Sequence, residues 1–195
     1  MKKQNSPWPI ILSSLTIICV LLIVSLFIFL KPNNQEDYTV DASDYIVAHS
    51  QVSSTPIQTL TEKEKIDLIK MREEEKLAYD VYTTLYKKWG INIFRNIAAS
   101  EKTHTDSIRY LIERYKLTDP VKEELVGVYS DDEFKKLFNE LTAKGNESLV
   151  SALTIGATIE DLDIKDLQDS LNNTDNQDII NIYQSLLHDI HLCAL

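Results

Sequence analysis

Apolar residues recur at helical spacing along most of the chain from residue 61 onward. In the window 96–116, Ile97, Ile108, Leu111 and Tyr115 fall on one helix face, because each residue of an α-helix advances by about 100°. Comparable stripes continue to the C-terminus, and no strand-like alternation of useful length interrupts them. The pattern predicts an all-α fold, a bundle of four main helices with one short helix inserted.

Capping residues mark where the predicted helices begin and end. The predicted starts are a capping box at residues 61–64, Asn92, a second capping box at residues 130–133, Ser148, and Thr174-Asp175. Glycines follow the first and third of these helices, at Gly90 and Gly145, and glycine is the residue that most often ends a helix.

Residues 10–30 form an uncharged and almost wholly apolar run. As a helix this run is roughly 31 Å long, enough to cross the hydrocarbon core of a membrane. We therefore predict a membrane anchor over residues 1–31, a polar flexible linker over 32–59 and a helical domain over 60–195. A cleaved signal peptide is the alternative, although no Ala-x-Ala-like cleavage site follows the run.

The distribution of charge orients the predicted anchor and limits the partners of the domain. Lys2 and Lys3 precede the apolar run, whereas all 30 acidic residues lie beyond Lys31. The positive-inside rule then favours a single-pass protein of the cell membrane with an extracytoplasmic C-terminal domain. The formal net charge of −10 argues against a nucleic-acid partner, since phosphates would be repelled.

Two ligand-type residues interrupt the apolar stripe of the second predicted helix. Glu101 and His104 are spaced i, i+3 and lie in the middle of that stripe. Burying a carboxylate and an imidazole is costly unless a partner compensates them. A metal ion is one such partner, and a hydrogen-bonded structural pair is the alternative.

The anomaly recurs on other predicted helices. Glu160 and Asp163 are again spaced i, i+3. They lie within the apolar stripe of the predicted helix that begins near Ser148, which is fourth in chain order when the inserted short helix is counted. On the first helix the stripe favours Glu74 over Glu75 as the inward carboxylate. His191 lies at the edge of the apolar face of the last helix. Oxygen-rich ligands with few histidines and no cysteine suit iron or manganese, as a single ion or as a di-metal centre, better than zinc.

These residues resemble motifs of the ferritin-like superfamily. Residues 75–82 resemble the Glu-x-x-Ala-x-x-x-Tyr of its first helix, and residues 101–104 match its Glu-x-x-His. Closer still, residues 73–82, 96–104 and 156–164 resemble a bacterial and archaeal family, the ferritin-like domain of unknown function 2202. This resemblance covers roughly residue 62 to the C-terminus.

The resemblance implies a ferritin-like four-helix bundle and, by analogy, a di-metal site. It favours Glu75 over Glu74 as the ligand on the first helix and makes His191 the best counterpart of a histidine on the fourth helix. The chain departs from the family pattern because it lacks a second Glu-x-x-His. The expected ligands are Glu75, Glu101, His104, Glu160, Asp163 and His191.

Two functions fit these features. The first is a membrane-anchored metalloprotein, either a monomer or a homo-oligomer, with redox activity towards ferrous iron or peroxide. The second is a non-catalytic binding or sensing module whose metal site has degenerated. The protein partner and the question of whether the chain is an enzyme stay open.

Overall fold

The computed structural model describes residue 52 and residues 56–193, and it contains no β-strand within that part of the chain. Its five helices follow one another as α1 (Glu62–Trp89), α2 (Asn92–Arg114), α3 (Asp132–Gly145), α4 (Leu149–Leu171) and α5 (Gln177–Cys193). The prediction of an all-α fold with one short helix among four longer ones is confirmed.

The predicted membrane anchor and nearly all of the predicted linker lie outside the described residues. None of the helices in the described ranges has the length and apolar character needed to cross a bilayer. The domain boundaries at residues 31 and 59 therefore stay predictions.

Helix α1 begins and ends as its sequence predicts. Thr61 accepts a hydrogen bond from the backbone N–H of Glu64, whose side chain accepts one from the backbone N–H of Thr61. This reciprocal pair is the capping box. At the other end Gly90 adopts a left-handed conformation with φ of 65°, which glycine reaches without a steric penalty.

Helix α2 starts differently from the prediction, in which Asn92 is the cap. Ile91 takes the N-cap position and Asn92 is the first helical residue, so no side chain caps the helix. The reason is the short connection: Gly90 ends α1 and only Ile91 separates it from α2. The turn between the helices leaves no residue free to place a polar cap.

The starts of α3 and α5 are also displaced from the predicted positions. For α3 the cap is Asp131, not Ser130, and its side chain accepts from the backbone N–H of Glu133. The Ser130 hydroxyl instead donates to the carbonyl of Pro120. For α5 the side chain of Asn176 accepts hydrogen bonds from the backbone N–H groups of Asp178 and Ile179. This helix therefore starts later than Thr174.

Four helices pack in a closed order. Helix α1 contacts α2 on one side and α4 on the other, and α5 contacts α2 and α4. The shorter α3 packs against α1 and α4 outside this ring. The arrangement gives the four long helices a common interior.

Two apolar clusters fill that interior. The first apolar cluster includes Leu68, Met71, Ile108, Leu111, Leu167, Ile179, Tyr183 and Leu186. The second apolar cluster includes Leu77, Val81, Tyr82, Leu85, Phe94, Ala98, Ala152 and Ile159. On α1, α2 and α4 the sequence passes from one cluster to the other across a short segment. Those three segments carry polar residues, several of them buried.

Buried charges on α1 fasten the long connection between α2 and α3. Arg72 is fully buried and pairs with Asp119 and Glu124 of that connection. Glu73 is buried as well. Its Oε1 accepts hydrogen bonds from the backbone N–H groups of Ser130 and, more weakly, the following residue. The backbone donors that precede α3 therefore explain its burial.

Candidate metal centre

Helix α1 presents one face to the interior through a 3-4 repeat. The buried residues on this face are Leu68, Met71, Glu75, Ala78, Tyr82 and Leu85. Spacings that alternate between three and four residues keep side chains on one side of a helix. Glu75 is therefore directed into the core by the same repeat that places Met71 and Ala78 there.

Glu101 and His104 reach the same interior from α2, where both are almost fully buried. Nδ1 of His104 lies 3.2 Å from Oε2 of Glu101 and 3.5 Å from Oε2 of Glu75. The i, i+3 spacing on α2 brings the first contact, since such residues neighbour each other on a helix. The second contact crosses between two helices.

Asp163 completes the group from α4. One ligand atom each from Glu75, Glu101, His104 and Asp163 lies within 4.8 Å of the others. We call these residues the four-residue cluster. Three helices thus bring three carboxylates and one imidazole together between the two apolar clusters.

Glu160 lies one helical turn before Asp163 and is held by α1. Its Oε1 is 2.5 Å from the hydroxyl of Tyr82, which also lies 3.0 Å from the carbonyl oxygen of Gly156. A Cβ atom at Gly156 would approach the Tyr82 ring to 3.2 Å, so glycine there leaves room for this tyrosine. Tyr82 fixes the position of the Glu160 carboxyl.

Burial raises the pKa of the carboxyl groups in this region. It raises the pKa of Glu75 to about 7, with the Glu101 charge acting in the same direction and His104 opposing it. Burial and the Glu101 charge raise the pKa of Glu160 to about 8, against the hydrogen bond from Tyr82. Asp163 has a pKa well above its usual value because of burial and the charges of Glu75 and Glu101. A buried carboxylate among like charges favours its protonated form.

His104 shows the opposite balance. Burial by itself lowers the pKa of its imidazole, but the charge of Glu101 and contacts with Asp189, Glu101 and Glu75 raise it well above the usual value. Without a metal ion, the carboxylates around it stabilise the imidazolium form. The carboxylates of the cluster thus attract a positive charge, here the protonated imidazole.

Two residues near the cluster have buried polar atoms that form no hydrogen bond. In Glu75 these are both carboxylate oxygens, and in Tyr183 on α5 it is the hydroxyl. Burial and the charges of several carboxylates, including Glu75 and Asp163, raise the pKa of Tyr183. Unsatisfied buried groups are uncommon in native proteins, and groups of this kind suit a site that binds an ion or water.

The neighbouring Glu74 belongs to a different set of contacts. Its Oε1 lies 2.7 Å from Nζ of Lys70, which also lies 3.0 Å from Oδ2 of Asp166 on α4. Glu74 is therefore turned towards the groove between α1 and α4, and Glu75 is turned towards the cluster. Of the two alternatives for the first helix, the structure brings Glu75 and not Glu74 to the predicted ligands.

Helix α5 does not bring His191 to the cluster. His191 is exposed, and its Nδ1 lies 2.6 Å from the carbonyl oxygen of Leu187, one turn earlier. Its role as a ligand stays a prediction that the observed orientation does not support.

The residue that α5 does bring near the cluster is Asp189, whose Oδ2 lies 3.7 Å from Nε2 of His104. Asp189 is not among the expected ligands, because a single carboxylate beside an apolar stripe is usually solvated. Spacing offered a signal, since Asp189 follows buried Leu186 by three residues and precedes Ile190.

The donor set fits a hard, divalent transition metal. Glu75, Glu101, Glu160 and Asp163 supply carboxylate oxygens and His104 supplies one nitrogen, a combination that suits iron or manganese. With a neutral imidazole, four carboxylates balance the charge of about two divalent cations. Carboxylate-bridged pairs in helix bundles also use four carboxylates, with two histidines where this site has one. The unpartnered oxygens of Glu75 agree with such an occupant.

Comparisons with known proteins place the chain among relatives without an assigned activity. The family described as "Uncharacterized protein domain (DUF2202)" matches residues 64–192. The chain is similar to "Uncharacterized protein MJ0754" of Methanocaldococcus jannaschii, with 54% identity over 136 residues, or 70% of this chain and 74% of that protein.

A solved structure supports the same relationship. The crystal structure of hypothetical protein MJ0754 from Methanococcus jannaschii matches with a TM-score of 0.70 and 52% identity. The match covers 72% of this chain and 81% of that one. An experimentally determined helical fold is thus shared with a relative of high sequence identity.

Proposed function

Because the chain belongs to the DUF2202 domain family, whose description assigns no reaction, we propose its function from the site: it binds iron or manganese between its four long helices. Glu75, Glu101, His104, Glu160 and Asp163 would hold the metal. The finer proposal is a di-metal centre in a ferritin-like bundle with redox activity towards ferrous iron or peroxide.

The observation that carries this proposal is the state of Glu75. Its two oxygens are buried between two apolar clusters and form no hydrogen bond, and Oε2 lies 3.5 Å from Nδ1 of His104. A buried carboxylate in such surroundings is costly, and a metal ion compensates it. The convergence of Glu101, His104 and Asp163 on the same place supports a ligand role over isolated burial.

The remaining residues of the site would prepare it for a metal. Bound iron or manganese supplies the capacity for one-electron redox chemistry. Tyr82 holds the carboxyl of Glu160 from α1, and the apolar clusters on either side limit the access of water. A low-dielectric surrounding strengthens the attraction between the carboxylates and a cation.

The ferritin-like assignment and the membrane location extend this proposal. The closed packing order of α1, α2, α5 and α4 supports a ferritin-like bundle, as does the Glu-x-x-His of residues 101–104. The uncharged run at residues 10–30 supports a membrane anchor, with the acidic helical domain outside the cytoplasm.

Thermal unfolding of the full-length chain tests the proposal. Anaerobic addition of ferrous iron or Mn²⁺ should raise the melting temperature in a concentration-dependent way, because a ligand that binds only the folded state stabilises it. Glu101→Gln should remove the rise. If neither ion changes the melting temperature of the wild type, metal binding is overturned and the non-catalytic helical module is favoured. The exposed position of His191 is compatible with that second function.

A further inference from the structure

His104 has two ring nitrogens, and they face different groups. Nδ1 is directed towards Glu101 and Glu75, at 3.2 Å and 3.5 Å. Nε2 lies 3.4 Å from Ser100 Oγ and 3.7 Å from Asp189 Oδ2. The ring therefore joins the cluster to a second polar environment on α5.

This division determines which nitrogen can bind a metal. A metal in the cluster would meet Nδ1, and a neutral imidazole then carries its only proton on Nε2. His104 is almost fully buried, so that N–H needs an acceptor within the protein. Among the described residues, Ser100 and Asp189 lie near Nε2, and of these Asp189 carries the carboxyl group.

The position of Asp189 suits this role. Its side chain is 12% exposed, so it keeps some contact with water, which lowers the cost of burying its charge. Closing the distance from 3.7 Å to a hydrogen bond of about 2.9 Å needs a movement of less than about 1 Å.

Resting on the proposed metal function, the geometry points to Asp189 as a positioning residue: its carboxylate accepts the Nε2–H of His104 and so presents Nδ1 to the metal. Metal-bound histidines generally donate their other N–H to such a partner, and losing the partner weakens metal binding about 10- to 100-fold. Helix α5 then contributes to the site through His104 and not as a direct ligand.

Titration calorimetry of the full-length chain with Mn²⁺ tests this assignment. Asp189→Asn should weaken binding about 10- to 100-fold without changing the number of ions bound, and Asp189→Glu should recover part of the affinity. The matched control is Asp175→Asn, an exposed position that precedes α5 and loses the same charge. Equal affinities for wild type and Asp189→Asn would overturn the assignment.

The tautomer of His104 gives a second measurement that does not depend on any variant folding. In the wild-type chain with ¹⁵N-labelled histidine and Zn²⁺ as a diamagnetic probe, we expect the proton on Nε2. A proton on Nδ1 in the Zn²⁺-bound chain would overturn the role of Asp189 while leaving metal binding intact. Failure of the wild type to bind Mn²⁺ or Zn²⁺ would overturn the proposed function and this assignment with it.

Discussion

Nδ1 of His104 lies 3.5 Å from Oε2 of Glu75, and through this contact α2 and α1 meet at the centre of the helical interior. Above and below it, the same two helices meet through apolar residues of the first and second clusters. A polar layer that divides an apolar core reduces stability unless it is compensated. Its presence is therefore best explained by a function, and three predictions follow from its electrostatics and surroundings.

The metal-free chain should become less stable as pH rises from about 5 to about 8. Folding raises the pKa of Glu75 and Glu160 from 4.5 to about 7 and about 8. Between the unfolded and folded values the folded chain binds more protons, so the free energy of unfolding falls with pH. The slope is about 1.4 kcal/mol per pH unit for each extra proton.

Urea unfolding in the presence of a chelator, measured at several pH values, provides the test. His104 acts in the same direction, because its raised pKa adds stability that is lost as pH rises through the folded value. Glu160→Gln should flatten the profile, while Asp175→Asn, at an exposed position, should not. A free energy of unfolding that increases from pH 5 to pH 8 would show that these carboxyl groups are not protonated in the folded chain.

Replacing Tyr183 with phenylalanine should leave the metal-free chain as stable as wild type, or stabilise it by about 1 kcal/mol. The hydroxyl of Tyr183 is buried without a partner, and a buried polar group that forms no hydrogen bond is costly. Differential scanning calorimetry at pH 7 can compare the two chains, with Tyr115→Phe as the control. Tyr115 donates a hydrogen bond to Asp178 at 2.6 Å, so its replacement should destabilise. A marked loss of stability in Tyr183→Phe would mean that its hydroxyl has a partner.

Lys76→Met should destabilise the fold by about 3–5 kcal/mol. Nζ of Lys76 lies 2.5 Å from Oδ2 of Asp80, and both side chains are 1% exposed. Removing one partner leaves a buried carboxylate charge without its counter-ion. Asp80 also accepts hydrogen bonds from Gly127 and Tyr129, so we expect the connection before α3 to loosen first.

A surface pair of the same spacing is the control for that substitution. Lys165 and Asp169 are also separated by four residues and 2.5 Å, but their side chains are 64% and 61% exposed. Exposed pairs contribute about 0–1 kcal/mol, so Lys165→Met should leave the urea midpoint nearly unchanged. Similar losses in the two variants would contradict the structural role of the buried pair.

The sequence predicts the helices well where local chemistry decides their ends. Thr61 and Gly90 bound α1 through side-chain and backbone preferences that act within a few residues. Asn92 and Ser130 do not cap their helices, because a short turn and contacts with Pro120 and Glu73 decide the backbone there. Those contacts come from residues distant in sequence, so the spacing of apolar residues along a helix cannot predict them.

The candidate site shows the same division between local and tertiary information. An apolar stripe that includes Ile66 is centred nearer to Glu74, but Ile66 is 65% exposed and does not belong to the core face of α1. The 3-4 repeat from Leu68 to Leu85 centres the face on Glu75. The proximity of Asp189 to His104 results from the packing of α5, which the sequence pattern does not predict. A single carboxylate beside an apolar stripe is usually solvated.

Elemental analysis of the full-length chain, reconstituted anaerobically with ferrous iron or Mn²⁺ and then desalted, tests the central claim most directly. Glu75→Gln and Glu74→Gln form a matched pair, since adjacent glutamates lose the same charge but only Glu75 faces the cluster. We predict about two ions per chain in wild type and in Glu74→Gln, with loss of the metal in Glu75→Gln. Equal metal content in all three chains, or none in wild type, would contradict a metal centre at these residues.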